Sequence, residues 1–292
     1  MSNQRLALLA VLIGSLVNAA TVGVSKLGLH QIPPLSFASL RFFLAALCIL
    51  PFFLLYKKGN AKNYIRTITP ISLLASLNIV LFTVGLSFTT ANTGGMLYAS
   101  VPVLVGIIGY LFFKQRLTRI KTIGVLVGFV GVALITVLPL LEVSNPFAGN
   151  LFANILIMGG VILWSFYMVL IKKPLELYSP VLVLSNLIFV TAVMLLPFFI
   201  WDMSLHSGWW RHVTWEGIFS LFYVAVLTTI FCYGLNQYAI KLGGSVFASV
   251  TFYIMPVLAF VINYWLLGEE LTPLFIVGTV LALVGTYLVM KK

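Results

Sequence analysis

Two stretches decide the fold: PVLVGIIGYLFFKQRLTRIKTIGVLVGFVG at 102–131 and PVLAFVINYWLLGEELTPLFIVGTVLALVG at 256–285. They align without gaps and match at ten of thirty positions, among them Pro102/Pro256, Tyr110/Tyr264, Leu117/Leu271, Thr118/Thr272, Gly124/Gly278 and Gly131/Gly285. Pro and Tyr number only 12 each among 292 residues, so a Leu- and Val-rich background does not explain these pairs. Earlier in each half a second register holds. Gly14 pairs with Gly160, Lys26 with Lys172, Pro34 with Pro180, and Leu50-Pro51-Phe52-Phe53 with Leu196-Pro197-Phe198-Phe199. The register shifts between the third and fourth apolar runs, as a short insertion or deletion would make it. The chain therefore reads as two copies, 1–145 and 146–292.

Each copy is made of apolar runs. Apolar residues are 61% of the chain and charged residues 8%, against about 25% charged in a soluble domain. Mean hydropathy is +1.12. So few charges cannot cover a water-facing surface, and the chain must find its solvent in lipid. Crossing ~30 Å of hydrocarbon takes roughly 20 apolar residues. Such runs fall at 6–25, 33–55, 68–88, 92–113, 119–140, 151–171, 180–201, 215–238, 244–267 and 273–290. They read as helices, because backbone in lipid must satisfy its own hydrogen bonds, and none shows the alternation of a barrel strand. The first run is longer than the roughly 7–15-residue apolar core of a signal peptide and reads as a span. The expected fold is an all-α integral membrane protein of ten transmembrane helices. Five per copy is an odd number, so the second copy enters the membrane upside down; inverted repeats of this kind are a transporter architecture.

Charge sets the expected orientation. One set of helix ends holds Arg5, Lys57, Lys58, Lys62, Arg66, Lys114, Arg116, Arg119, Lys121, Lys172, Lys173, Lys241, Lys291 and Lys292; the other holds Lys26 and Arg211. Basic residues stay on the cytoplasmic side, which places both termini there in a multi-pass cell-membrane protein. The formal charge of +11 is then topological, helped by anionic headgroups, and no nucleic-acid partner is expected. Trp201, Trp209, Trp210 and Trp215 fit an interfacial belt on the outer side. The inner segment Lys114-Gln115-Arg116 has as its counterpart the outer Gly268-Glu269-Glu270, which has lost its basic residues.

These features resemble the EamA family of the drug/metabolite transporter superfamily, across the whole chain. Leu267-Gly268-Glu269-Glu270-Leu271-Thr272 after Pro256 is similar to that family's "P…LGE-x-LT" stretch, and Leu40-Arg41-Phe42-Phe43-Leu44-Ala45-Ala46 to its second-helix "R-F-x-x-A". The first copy departs, with Lys114-Gln115-Arg116 where Gly-Glu is usual, and Leu187 stands where Arg is common. The resemblance implies a secondary transporter with a central cavity.

Polar side chains within spans face the bundle or a water-filled cavity. Gly14, Asn18, Thr21 and Ser25 share one helical face. Their repeat partners are Gly160, Trp164, Tyr167 and Ile171, so a polar face and an aromatic one would meet near the repeat axis. Asn78 and Phe82 add an i,i+4 pair; Thr229, Tyr233 and Asn236 form a stripe; Tyr98 and Phe252 lie one turn before Pro102 and Pro256. Candidate substrate contacts are therefore Asn18, Thr21, Asn78, Phe82, Tyr98, Trp164, Tyr167, Tyr233, Asn236 and Phe252. The competing reading is plain helix packing through small residues. Pro102 and Pro256 either break their helices and free carbonyls toward the cavity or simply kink them. Arg41, within the second span, either contacts a substrate anion or bonds helix-end carbonyls or an outer acid such as Glu269 or Glu270.

Glu142, Glu176, Asp202, Glu216, Glu269 and Glu270 all fall in loops or at span ends, and His30, His206 and His212 in outer loops. A mid-membrane proton-cycling carboxylate has no candidate. With Cys48 and Cys232 inside spans, neither a disulfide nor a metal site is expected, and no cofactor is implied. A membrane-embedded enzyme would need a constellation of nucleophile, base or metal ligands that is not found. The expected partners are a small-molecule substrate and membrane lipid. The leading expectation is export of amino acids or similar small metabolites by alternating access. Exchange of nucleotide- or phospho-sugars, or flipping of a lipid-linked metabolite, stands as the alternative.

Overall fold

The computed structural model describes residues 3–56, 61–113, 119–143, 149–249 and 251–290, and every regular element among them is helical. The first half holds α1 (Asn3–Ala19), α2 (Thr21–Leu29), α3 (Pro34–Tyr56), α4 (Ala61–Phe88), α5 (Ala91–Leu97), α6 (Val101–Phe113) and α7 (Arg119–Leu141). The second holds α8 (Leu151–Leu170), α9 (Lys172–Leu177), α10 (Pro180–Leu205), α11 (Trp215–Phe222), α12 (Tyr233–Gly243), α13 (Ser245–Ala248), α14 (Thr251–Leu267) and α15 (Pro273–Met290). Between α11 and α12 the chain runs as a π-helix, Tyr223–Cys232.

Local chemistry sets these ends. Pro34, Pro180 and Pro273 each open a helix, where a missing N–H costs nothing. Thr90, Asn150, Ser179 and Thr272 accept from backbone N–H groups three residues on and cap α5, α8, α10 and α15. Gly244 and Gly268, at φ +85° and +65°, terminate α12 and α14, a conformation that a Cβ disfavours.

Among the described residues, seven helical stretches are long and apolar enough to cross a membrane: Arg5–Leu29, Pro34–Leu55, Tyr64–Phe88, Ala91–Phe112, Leu151–Leu177, Pro180–Leu205 and Trp215–Gly243. Thr122–Leu138, Leu258–Leu267 and Pro273–Gly285 are shorter apolar helices among the described residues. Several runs that read as continuous are broken. The first is interrupted at Ala20, the fourth passes through a 3-10 turn at Tyr98–Ser100, and the ninth is split between α13 and α14.

The burial pattern inverts that of a soluble protein. Leu47, Leu55, Val193 and Trp265 face outward, while Asn78, Asn154, Ser165, Thr191, Gln237 and Asn263 are buried. Such a surface suits hydrocarbon, with the polar groups turned toward one another. Helix α3 packs on α10, α7 on α15, α4 on α8, and α1 on α12. The α7–α15 crossing is backbone to backbone. A Cβ on Gly285 would lie 2.1 Å from the nitrogen of Gly128, and one on Gly131 would lie 2.4 Å from the nitrogen of Ala282. Small residues permit this approach in membrane helices.

Candidate functional site

The break at Ala20, the 3-10 turn before Pro102 and the π-helix all border one cavity between the two halves. Its wall includes Asn18, Thr21, Arg41, Asn78, Phe82 and Tyr98 from the first half, and Trp164, Thr228, Cys232, Tyr233, Asn236 and Phe252 from the second. The space open to the centre of a water molecule is about 60 Å³; at roughly 10–15 Å³ for one water, it holds a handful of waters or a compact solute.

Hydrogen bonds join the halves across this space. Thr21 Oγ1 lies 2.8 Å from Thr228 Oγ1 and donates to Asn18 Oδ1 at 2.8 Å. Arg41 Nε donates to Thr229 Oγ1 at 2.7 Å, and Nη2 to the Tyr233 hydroxyl at 3.2 Å. Asn78 Nδ2 donates to the Tyr98 hydroxyl at 2.6 Å. The Tyr98 ring meets Phe82 edge-on at 5.2 Å and Phe252 at 5.7 Å, while Trp164 lies 5.3 Å from Tyr233. Among the described residues, two polar atoms of wall side chains have no partner: the indole N–H of Trp164 and Asn236 Oδ1. Buried polar groups ordinarily find one, and both atoms are sealed from the open space of the cavity in this conformation.

Of the candidate contacts, Asn18, Thr21, Asn78, Phe82, Tyr98, Trp164, Tyr233, Asn236 and Phe252 line the cavity. Tyr167 does not. It shares the face of Trp164, but the indole occupies the wall; Tyr167 stacks behind it at 5.2 Å, its hydroxyl accepting from Gln237 Nε2 at 2.6 Å. Arg41 lies on the wall and bonds neither helix-end carbonyls nor Glu269 or Glu270. Pro102 is the second residue of α6, just past the 3-10 turn, whereas Pro256 sits inside α14, which begins at Thr251. Pro256 has no N–H to give the carbonyl of Phe252, one turn earlier. Thr228, Cys232, Thr251 and Met255 also line the cavity and were not singled out from sequence. Thr228 was hidden because the sequence does not announce the π-helix, which alters the faces of its span.

One end of the cavity is closed. Past Thr21, Val22 packs with Leu86 and Ala91. Beyond it Asn263 Nδ2 donates to Asn92 Oδ1 at 2.8 Å, and a Cβ on Gly23 would meet Asn263 Oδ1 at 2.4 Å. Glu269 then accepts the N–H groups of Ala91 at 2.6 Å and Asn92 at 2.8 Å. Lys26 Nζ donates to the carbonyls of Leu86 at 2.7 Å and Thr89, at the end of α4. Burial pushes the Glu269 carboxyl above the ordinary carboxylate range, opposed by the Asn92 and Ala91 N–H groups and the Lys26 charge.

A family model described as the EamA-like transporter family matches residues 5–137 and again 151–291. An uncharacterized transporter of Archaeoglobus fulgidus is 27% identical over 273 residues, covering 91% of each chain. The uncharacterized transporter YoaV of Bacillus subtilis is 25% identical over 288 residues, covering 96% of this chain and 95% of its own. A solved crystal structure with 15% identity superposes over 96% of this chain and 95% of its own at a TM-score of 0.63, a likeness of fold. Together with the long apolar helices, these matches make the chain a multi-pass membrane protein.

Proposed function

Because the chain belongs to the EamA-like transporter family, we propose that it exports small metabolites, amino acids foremost, across the cytoplasmic membrane by alternating access. The observation that carries this reading is a cavity walled by both halves and closed at its Lys26 end. In this reading the seven long helices and three shorter ones are ten spans, arranged as two inverted five-helix repeats, 1–145 and 146–292. The double family match supports it. So does the pairing of α3 with α10 and α7 with α15, each a helix against its repeat counterpart, and of α4 with α8 mirrored by α12 with α1.

In this reading both termini are cytoplasmic, as the distribution of basic residues favours; the Lys26 end is then outside, and the end of the wall that holds Ala10, Ala239 and Met255 is toward the cytoplasm. The conformation is then closed to the outside. Transport requires the bonds from the Ala91 and Asn92 N–H groups to Glu269 to part while the halves rock and the opposite end closes. The solute would sit against Asn18, Thr21, Asn78, Phe82, Tyr98, Trp164, Tyr233, Asn236 and Phe252, with Tyr167 holding Trp164 in place.

Uptake of labelled amino acids into proteoliposomes, with and without a pH gradient, tests the reading. Saturable uptake lost in Trp164→Ala is expected. No uptake of any amino acid into tight, correctly reconstituted vesicles would contradict the substrate class.

A further inference from the structure

Arg41 is 4% exposed and is the one charged side chain on the described wall of the cavity. No carboxylate among the described residues lies within ion-pair distance of it. Its partners are neutral. Thr229 and Tyr233 accept from Nε and Nη2, and the guanidinium carbon lies 5.6 Å from the centre of the Tyr233 ring and 5.3 Å from that of Phe42. These contacts fix the guanidinium fork without cancelling its charge. A buried charge lacking a counter-charge is costly, and in a span it marks a pathway for substrate or ions. Thr229 is itself aligned by the π-helix, where its hydroxyl donates to the carbonyl of Val224 at 2.7 Å.

The rest of the wall is asymmetric in the same sense. It offers one cation and no acid. An ammonium group would find neutral side chains such as Asn18 and the aromatic faces of Trp164 and Tyr233, which are weaker partners than a carboxylate. A phosphate ester, carrying nearly two negative charges, would leave one unmatched.

We propose that Arg41 is the anion anchor of this cavity, and that the solute is a compact monocarboxylate whose carboxylate is obligatory and whose amino group is dispensable. The proposal rests on the reading of the cavity as the transport site. A guanidinium fork suits a carboxylate through paired N–H bonds, and Nη1 has no protein partner among the hydrogen bonds of Arg41. Acids lacking the amine therefore compete with amino acids, whereas amides and sugar phosphates do not.

Cys232, on the cavity wall, reports occupancy through its alkylation by N-ethylmaleimide in a Cys48→Ser background; Cys48 is exposed on the outer surface of the helices. Reconstituted protein is challenged with three matched sets: alanine, valine and leucine; their amides; and propionate, isovalerate and isocaproate. Both acid sets are expected to slow alkylation at concentrations at least tenfold below the amides. That preference should vanish in Arg41→Gln and survive in part in Arg41→Lys. The wild-type comparison needs no variant, so it stands even if Arg41→Gln folds poorly. Equal protection by amides and acids, with labelled amino acids still taken up, overturns the anchor and leaves the transport reading intact. No protection by any acid overturns the anchor too, and absence of uptake in the same vesicles would overturn amino-acid transport with it.

Discussion

Glu269, just past α14 in the second half, accepts the N–H of Ala91, the first residue of α5 in the first half, at 2.6 Å. The two carboxylate oxygens satisfy the opening N–H groups of a helix that no other acid caps, and they do so across the boundary between the halves. This contact can hold one face of the cavity shut only while the halves stay together.

Glu269→Ala should therefore loosen the Lys26 end. A hydrogen bond contributes about 0.5–1.5 kcal/mol net and two are lost, while about 1.4 kcal/mol is a factor of ten in population. Alkylation of Cys232 in intact cells by a membrane-impermeant maleimide is expected to accelerate about tenfold. An unchanged rate would show that the contact does not govern access.

The same carboxyl gives a pH dependence. In the closed state it titrates above the ordinary value of 4.5, chiefly through burial; released into water it returns to that value. The closed state thus binds the proton more tightly, and protonation favours closure. This contribution is complete below the ordinary value and is lost as pH rises through the raised one. Lys26 and His30 line the same crevice, and Glu270 beside it is exposed. Outside acidification should slow Cys232 labelling beyond the loss of thiolate that acid itself causes, and Glu269→Gln should leave only that thiolate effect. Excess slowing that persists in Glu269→Gln would assign it to another group.

How much of this was legible in the sequence follows from what each feature depends on. Asn18, Thr21, Asn78 and Trp164 could be placed on inward faces because helical spacing and the repeat offset are properties of the chain alone. Tyr167 shares a face with Trp164, yet only one of two bulky rings can hold the wall, and packing made that choice. The Glu269–Ala91 contact depends on how the halves approach, which no local pattern encodes. Glycines 131 and 285 were visible as repeat markers; that they bring two backbones into contact was not.

That crossing carries its own expectation. A Cβ on Gly285 would lie 2.1 and 2.3 Å from the nitrogen and Cα of Gly128, backbone atoms that cannot turn aside. Overpacking costs about 1–3 kcal/mol, and Gly285→Ala should lower the melting temperature and yield of monodisperse protein in detergent. Gly244→Ala offers a contrast: nothing lies within 4 Å of that Cβ, and only the φ of +85° opposes it. Equal behaviour of the two variants would mean that the α7–α15 contact does not hold the bundle together.

Trp164→Ala removes the ring that separates the cavity from Tyr167 and contacts Tyr233. Transport should fall at least tenfold. Because the ring borders existing space, membrane abundance should stay close to that of the wild type. Trp164→Phe keeps an aromatic wall while removing the N–H and part of the ring, so its loss should be the smaller. Quantitative blotting alongside initial uptake rates separates a site effect from a folding effect, and equal uptake by all three proteins would remove Trp164 from the site.

The central claim is that one cavity, shared by both halves, is exposed to each side of the membrane in turn. Counterflow in proteoliposomes tests it most directly. Vesicles preloaded with an unlabelled aliphatic amino acid should accumulate external label transiently above equilibrium, and Trp164→Ala should abolish the overshoot. Label that enters at the same rate whether or not the vesicles are preloaded, with no overshoot, would contradict alternating access through this cavity.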